Sequence, residues 1–189
     1  EAHRGDMVWS AAVPEELRSR ATAVIGNFPV SQASQYTRLE WLQTFSAGVD
    51  AYICPGVLPR GTMVTNASGA YGQSVSEHMF ATMWALMKNL NRYASNQRDH
   101  QWQDEGPVLS PEGGIALIIG VGDIGSHFAQ LAQSVGMRTF GVRRHADVPA
   151  KGIEKMYGFE RLETLLPLAD VVAMAVPRSP QTHHLLNAD

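Results

Sequence analysis

A chain of 189 residues with 44% hydrophobic residues, 17% charged residues and a formal net charge of -3 has the composition of an ordinary globular protein, with room for one domain or for one domain and part of another. That balance offers no basic surface for nucleic acid, and the longest apolar runs, 115–119 and 171–176, fall far short of the roughly 20 residues of a membrane span, so neither a nucleic-acid nor a membrane partner is expected. Cys54 is the only cysteine, which excludes an intrachain disulfide and fits a reducing, cytoplasmic setting.

The opening, EAHRGDMVWSAAVPEEL, lacks the charged start and apolar run of a secretory signal. PEELRSR (14–20) has a helical pattern, and the apolar run ATAVIGNF (21–28) behind it reads as a strand. LEWLQTF (39–45) is a second strand, ended by SAGVD (46–50), and MVTNASG (63–69) is a third strand followed by a turn. From Ser74 to about Tyr93, the residues Val75, Met79, Met83, Leu86, Met87 and Leu90 recur at three- and four-residue intervals, which predicts one long helix. Its methionine-rich face suits a packed core or an interdomain surface, because methionine fills irregular apolar gaps.

The polar stretch NQRDHQWQDEGPVLSPEGG (96–114) reads as a connection and a candidate domain boundary. After it come a buried strand IALIIG, a helix DIGSHFAQLAQSV, a strand MRTFGV, a helix FERLETLLPL and a strand DVVAMAV. Continuous apolar strands separated by helices imply a parallel sheet covered on both faces, the doubly wound α/β class.

Gly120, Gly122 and Gly125 satisfy G-x-G-x-x-G directly after a strand and before a helix with apolar Ile124, Phe128, Leu131, Ala132 and Val135. That context is what makes the pattern a dinucleotide-binding fingerprint. Gly120 permits the tight turn, Gly122 lets backbone approach a pyrophosphate, and Gly125 seats the helix close to the strand. Asp123 and Ile124 open the helix, whose free N–H groups and positive dipole end face the phosphates.

About 20 residues past the glycines, an NAD-binding domain places an acid on the adenosine ribose. VRRH (142–145) stands there instead, with Arg143 in the acid's position and Arg144 beside it. Guanidinium groups offer charge-assisted hydrogen bonds to a 2′-phosphate, so the expected cofactor is NADP, with NAD as the alternative.

LEWLQTFSAGVDAY, VTNASGAYGQSVSEHMFATMWALMKNL, IALIIGVGDIGSHFAQLAQSVGMRTFGV and LADVVAMAVPRSPQTHHLLN together resemble the D-isomer-specific 2-hydroxyacid dehydrogenase family, which includes glyoxylate and hydroxypyruvate reductases. The resemblance spans nearly all of residues 20–189. It implies a Rossmann NAD(P)-binding domain over 73–189, opening with the interdomain helix, and part of a flavodoxin-like substrate domain over 1–72. The implied activity is hydride transfer between NADP(H) and a small 2-keto or 2-hydroxy acid, in a homodimer formed through the long-helix region. A non-catalytic dinucleotide sensor or partner-binding protein on the same fold is the alternative.

The same resemblance puts the backbone amides of Ala47, Gly48 and Val49 on the substrate carboxylate, a task suited to amides fixed in direction. It puts Val75 and Ser76 near the nicotinamide side, and Val176, Pro177 and Thr182 against the cofactor. Glu77 and His78 are neighbours on a helix, about 100° apart, and are read as structural. The family's catalytic Arg, Glu and His would lie beyond Asp189, so the chain reads as an interior piece of a two-domain enzyme of roughly 310 residues. His183 and His184 have no Asp or Glu beside them to orient a base, and no His, Cys and carboxylate set has metal-ligand spacing.

Overall fold

The computed structural model describes residues 13–187 and divides into two units, Glu1–Ala70 and Tyr71–Asp189. In the first unit a four-residue helix α1 (Glu15–Arg18) precedes three short parallel strands, β1 (Ala23–Ile25), β2 (Trp41–Gln43) and β3 (Met63–Thr65), which lie in that order across the sheet. Val24, Leu42 and Val64 stand in register, so alternate side chains along each strand share one face. Leu42 is fully buried there with Phe28, Tyr36, Leu39 and Tyr52.

Tyr36 stacks on Phe28 with ring centroids 4.3 Å apart, and Tyr52 meets Phe28 edge-on at 5.3 Å. The Tyr52 hydroxyl donates to Phe28 O at 2.6 Å and accepts from Phe28 N at 3.0 Å, satisfying both backbone groups of a buried residue. The opposite face of the sheet carries Ile25, Trp41 and Met63, all exposed.

The second unit is built on a four-stranded parallel sheet of β4 (Ile115–Ile119), β5 (Arg138–Val142), β6 (Lys155–Tyr157) and β7 (Val171–Met174), ordered β6-β5-β4-β7. Ala116 and Ile118 face α2 (Gly72–Met87) and α4 (Asp123–Ser134), where Met83, Met87, Phe128, Ala129 and Ala132 close the core. Leu117 and Ile119 face the other way, with Phe140, Val142 and two residues of α5 (Leu162–Leu165). Every β4 residue from Ala116 to Ile119 is therefore buried, which explains its unbroken apolar run.

The single helix expected over 74–93 is two. α2 ends at Met87 and α3 (Leu90–Arg98) begins after Asn89, which adopts a left-handed φ of 54°. Asparagine tolerates that conformation. Its amide donates to Glu105 O at 3.3 Å and to Pro107 O at 3.4 Å, while Lys88 Nζ donates to Leu109 O at 2.7 Å and Leu109 N to Met87 O at 2.9 Å. The polar stretch is thus fastened to the helices it follows and is no domain boundary; the division lies at Ala70. The core-facing stripe of α2 is also rotated from the expected one. Ser76, Met83 and Met87 are buried with Met79, Phe80 and Trp84 packed beside them, whereas Val75, Leu86 and Leu90 are exposed.

Residues 159–168 form three short turns of helix rather than one helix, with Pro167 in the last; proline lacks the N–H that would continue the ladder. β6 carries no sequence pattern of its own. It is a three-residue edge strand, and Arg138 grips Glu154 just before it through two hydrogen bonds of 2.7 and 3.1 Å. No helix among the described residues is long and apolar enough to cross a membrane.

Candidate functional site

In the second unit β4 is paired with β5 on one side and β7 on the other, so the strand order reverses at β4: the next strand in the chain lies to one side of it and the last to the other. Such a reversal of strand order is where open α/β sheets form a ligand crevice. The three fingerprint glycines meet different constraints there. Gly120 has a φ of +92°, and a Cβ on it would lie 2.5 Å from Ala175 O and 2.7 Å from Val176 Cγ1. The loops after β4 and β7 touch at this point, and only hydrogen fits between them. A Cβ on Gly125 would run into Gly120 O and come 3.1 Å from Ile118 Cγ2, so its absence brings α4 down onto β4.

Gly122 differs. Its φ is -102°, and a Cβ there would meet nothing within 4 Å. Among the described glycines, Gly122 and Gly48 alone have neither a positive φ nor a neighbour that a side chain would strike. Among the described residues no neighbour requires glycine at either position, and the missing side chains leave the backbone open to close approach.

Gly122 is also the N-cap of α4, which no side chain caps, and the amides of Asp123, Ile124 and Gly125 find no acceptor among the described residues. The Asp123 carboxylate lies against Gly72 at the start of α2, where a Cβ would fall 2.6 Å from Asp123 Cγ, and 3.3 Å from His127 Nδ1. Asp123 therefore suits an anion through its backbone, not its side chain.

The two arginines after β5 have separate situations. Arg143 is half-buried and donates from Nε to His145 O at 2.9 Å, from Nη1 to Val121 O at 3.2 Å and from Nη2 to Val148 O. It ties the residues after β5 to the glycine turn after β4. Arg144 is exposed and makes no hydrogen bond or ion pair among the described residues. The sequence treats them alike, and the fold separates a fastened guanidinium from an unengaged one.

After β7, Val176 is half-buried against Gly120 and Pro177 is exposed. The Thr182 hydroxyl donates to Pro177 O at 2.6 Å and accepts from Ser179 N at 2.8 Å. That hydroxyl closes the 177–182 turn. His183 and His184 lie ring against ring at 4.0 Å, and no group of three metal-ligating side chains occurs among the described residues. In α2, Val75 is exposed, Ser76 is buried with its hydroxyl on Gln73 O, and Glu77 accepts from Gln73 Nε2 while His78 is exposed; Glu77 and His78 share no hydrogen bond.

In the first unit the residues after β2 form a second concentration of outward donors. The amides of Ala47, Gly48 and Val49 find no acceptor among the described residues, and Gly48 leaves open space above them. Asn27, Ser46 and Asn66 brace this loop and were not singled out in the sequence, although Ser46 and Asn66 lie within quoted motifs; the only signal is an asparagine placed just after each of the two strands that flank β2.

The NAD-binding-domain model of the D-isomer specific 2-hydroxyacid dehydrogenases matches residues 80–189, more than half of the chain. The chain belongs to this family. As a 2-hydroxyacid dehydrogenase relative it is 25% identical over 186 residues to a glycerate dehydrogenase of Methylorubrum extorquens, covering 94% of this chain and 56% of that protein. It is 28% identical over 155 residues to a D-lactate dehydrogenase of Treponema pallidum, covering 80% of this chain and 45% of that one. The chain thus spans about half the length of the curated relatives it matches. Among solved structures, a D-isomer specific 2-hydroxyacid dehydrogenase family protein from Aeromonas salmonicida superposes with a TM-score of 0.80 at 30% identity, covering 90% of this chain and 55% of that one. The parallel α/β sheet and its Rossmann-type NAD-binding domain are shared with these dehydrogenases.

Proposed function

We propose that the protein containing this chain is an NADP-preferring reductase of small 2-keto acids, glyoxylate- or hydroxypyruvate-like, with its cofactor on the second unit and its substrate carboxylate on the loop after β2. The unengaged Arg144, next to Arg143 at the position where an NAD site keeps an acid, carries the cofactor preference. A reduced nicotinamide, when bound, supplies the hydride. The chain's own residues do the holding. Gly122 and the amides of Asp123, Ile124 and Gly125 receive the pyrophosphate, while Arg144 meets the 2′-phosphate and Arg143 holds the loop that presents it. Val176, Pro177 and Val75 line the cofactor, and Thr182 keeps the turn after β7 in shape. Ala47, Gly48 and Val49 take the carboxylate through their amides.

The direct test is NADPH oxidation by the full protein with a panel of glyoxylate, hydroxypyruvate, pyruvate and larger 2-keto acids. Turnover with at least one of them, faster with NADPH than with NADH, is the expected result; no turnover with any sinks the proposal and leaves a non-catalytic dinucleotide binder on the same fold.

The family relationship and one surface feature support a homodimer. Leu86, Leu90, Val108 and Leu109 are exposed around the junction of α2 and α3, where Leu109 is bonded back to Met87, and Trp102 on the following segment is fully exposed. Exposed apolar clusters of this kind mark interaction surfaces. Trp102→Ser with Leu90→Ser is expected to raise the dimer dissociation constant by at least about tenfold, the equivalent of ~1.4 kcal/mol, in sedimentation equilibrium. An unchanged constant, or a monomeric unsubstituted protein, would reject this interface.

A further inference from the structure

We propose that Asn27 and Asn66 are positioning residues that aim the amides after β2 at the substrate carboxylate, a role that rests on reading 47–49 as the carboxylate site. β2 is the central strand of the small sheet, and β1 and β3 flank it in parallel, so the three carboxyl ends lie side by side. Asn27 comes two residues after β1 and Asn66 directly after β3. Each reaches the loop after the central strand from its own side.

Asn27 Oδ1 accepts from Phe45 N at 2.8 Å, and its Nδ2 donates to Ser46 Oγ at 3.0 Å. Ser46 Oγ passes its own proton on to Gly48 O at 2.8 Å. Asn66 Nδ2 donates to Ala47 O at 2.8 Å. Ser46 O accepts from Thr44 Oγ1 at 2.8 Å and from Ala67 N at 3.1 Å. The carbonyls of residues 46, 47 and 48 are therefore all bonded inward.

A trans peptide is planar, with its C=O and the following N–H pointing in opposite directions. Fixing the carbonyls of Ser46, Ala47 and Gly48 consequently fixes the N–H groups of Ala47, Gly48 and Val49, three that find no acceptor among the described residues. Asn66 sets the Gly48 amide directly. Asn27, through Ser46, sets that of Val49. An asparagine amide suits the task because it holds a donor and an acceptor in one rigid plane, so Asn27 can brace two points of the loop at once. Donors aimed before the ligand arrives bind it without the cost of ordering the loop.

The test uses the full protein with NADPH bound and oxamate, a small carboxylate that is not reduced, as the calorimetric probe. Asn66→Ala, Asn27→Ala and Ser46→Ala are each expected to weaken oxamate about tenfold or more, with the KM for a responding 2-keto acid rising in parallel, kcat within about threefold and NADPH affinity unchanged. Ser46→Thr keeps the hydroxyl and is expected to bind oxamate as the unsubstituted protein does. Should Asn27→Ala fail to fold, the exposed Asn66 and the Ser46 pair still decide the matter. Unchanged oxamate affinity in folded Asn66→Ala and Ser46→Ala overturns the positioning role alone, provided the unsubstituted protein binds oxamate and Gly48→Val does not. Absence of oxamate binding by the unsubstituted protein overturns the carboxylate reading and this role with it.

Discussion

Gly122→Asp is expected to weaken NADPH binding by about 100-fold or more, equivalent to ~2.7 kcal/mol, while the protein melts within a few degrees of its original temperature. The backbone at Gly122 already has a φ that other residues adopt, and a side chain there strikes nothing among the described residues, so folding has little reason to object. The pyrophosphate has two: the space it needs is occupied, and a carboxylate stands at the helix end that was to receive its charge. Gly120→Ala should behave in the opposite order. Its φ of +92° is costly for an L residue, and the added methyl would sit 2.5 Å from Ala175 O, a backbone atom that cannot swing aside. A loss of about 3 kcal/mol or more in chemical denaturation is expected there, with cofactor binding lost as a consequence of unfolding. Binding measured by fluorescence titration, beside melting curves, separates the two glycines. A Gly122→Asp protein that binds NADPH normally would dismiss the pyrophosphate assignment.

Arg144→Asp is expected to reverse the cofactor preference, weakening NADPH by about 100-fold while NADH binding stays within a few fold or improves. The exposed guanidinium has no partner among the described residues to lose, so under the proposed reading the substitution acts on the ligand: it would remove a charge-assisted contact to the 2′-phosphate and supply an acceptor for the ribose hydroxyls. Arg143→Met differs in kind. It strips donors from the carbonyls of Val121, His145 and Val148, and is expected to weaken both cofactors together and to lower stability by about 1–3 kcal/mol. Titrating both variants with both cofactors distinguishes a phosphate ligand from a loop fastener. Equal loss of NADPH and NADH affinity in Arg144→Asp would remove it from the specificity role.

The segment from β4 through α4 to β5 was readable because its signals are local. A strand buried on both faces must be apolar throughout, and a helix laid on one face of a sheet repeats its apolar residues at Phe128, Ala129 and Ala132. The break at Asn89 was not readable, since residues 74–93 have helical periodicity and what ends α2 is a set of hydrogen bonds from Lys88 and Asn89 to residues some twenty positions away. β6 escaped notice for a similar reason. Three residues at a sheet edge have no period to display, and they are strand because β5 lies beside them.

At the site, residue types and spacings by themselves marked the dinucleotide turn and the arginines that follow β5, because each depends on chemistry carried by a few neighbouring positions, while the family was legible as a resemblance of motifs spread along the chain. Only the tertiary structure divided the work among them. Arg143 is consumed by three carbonyls, two of which belong to its own loop and one to the glycine turn after another strand, while Arg144 is exposed and unengaged among the described residues. Gly120 is required by the loop after β7, and Gly122 by no neighbour among the described residues. Asn27 and Asn66, 39 positions apart in number, meet one loop because parallel pairing sets three strand ends abreast. Hydrogen bonds across a sheet connect residues without regard to their separation in sequence, and that is why the roles, unlike the motifs, appear only once the strands are paired.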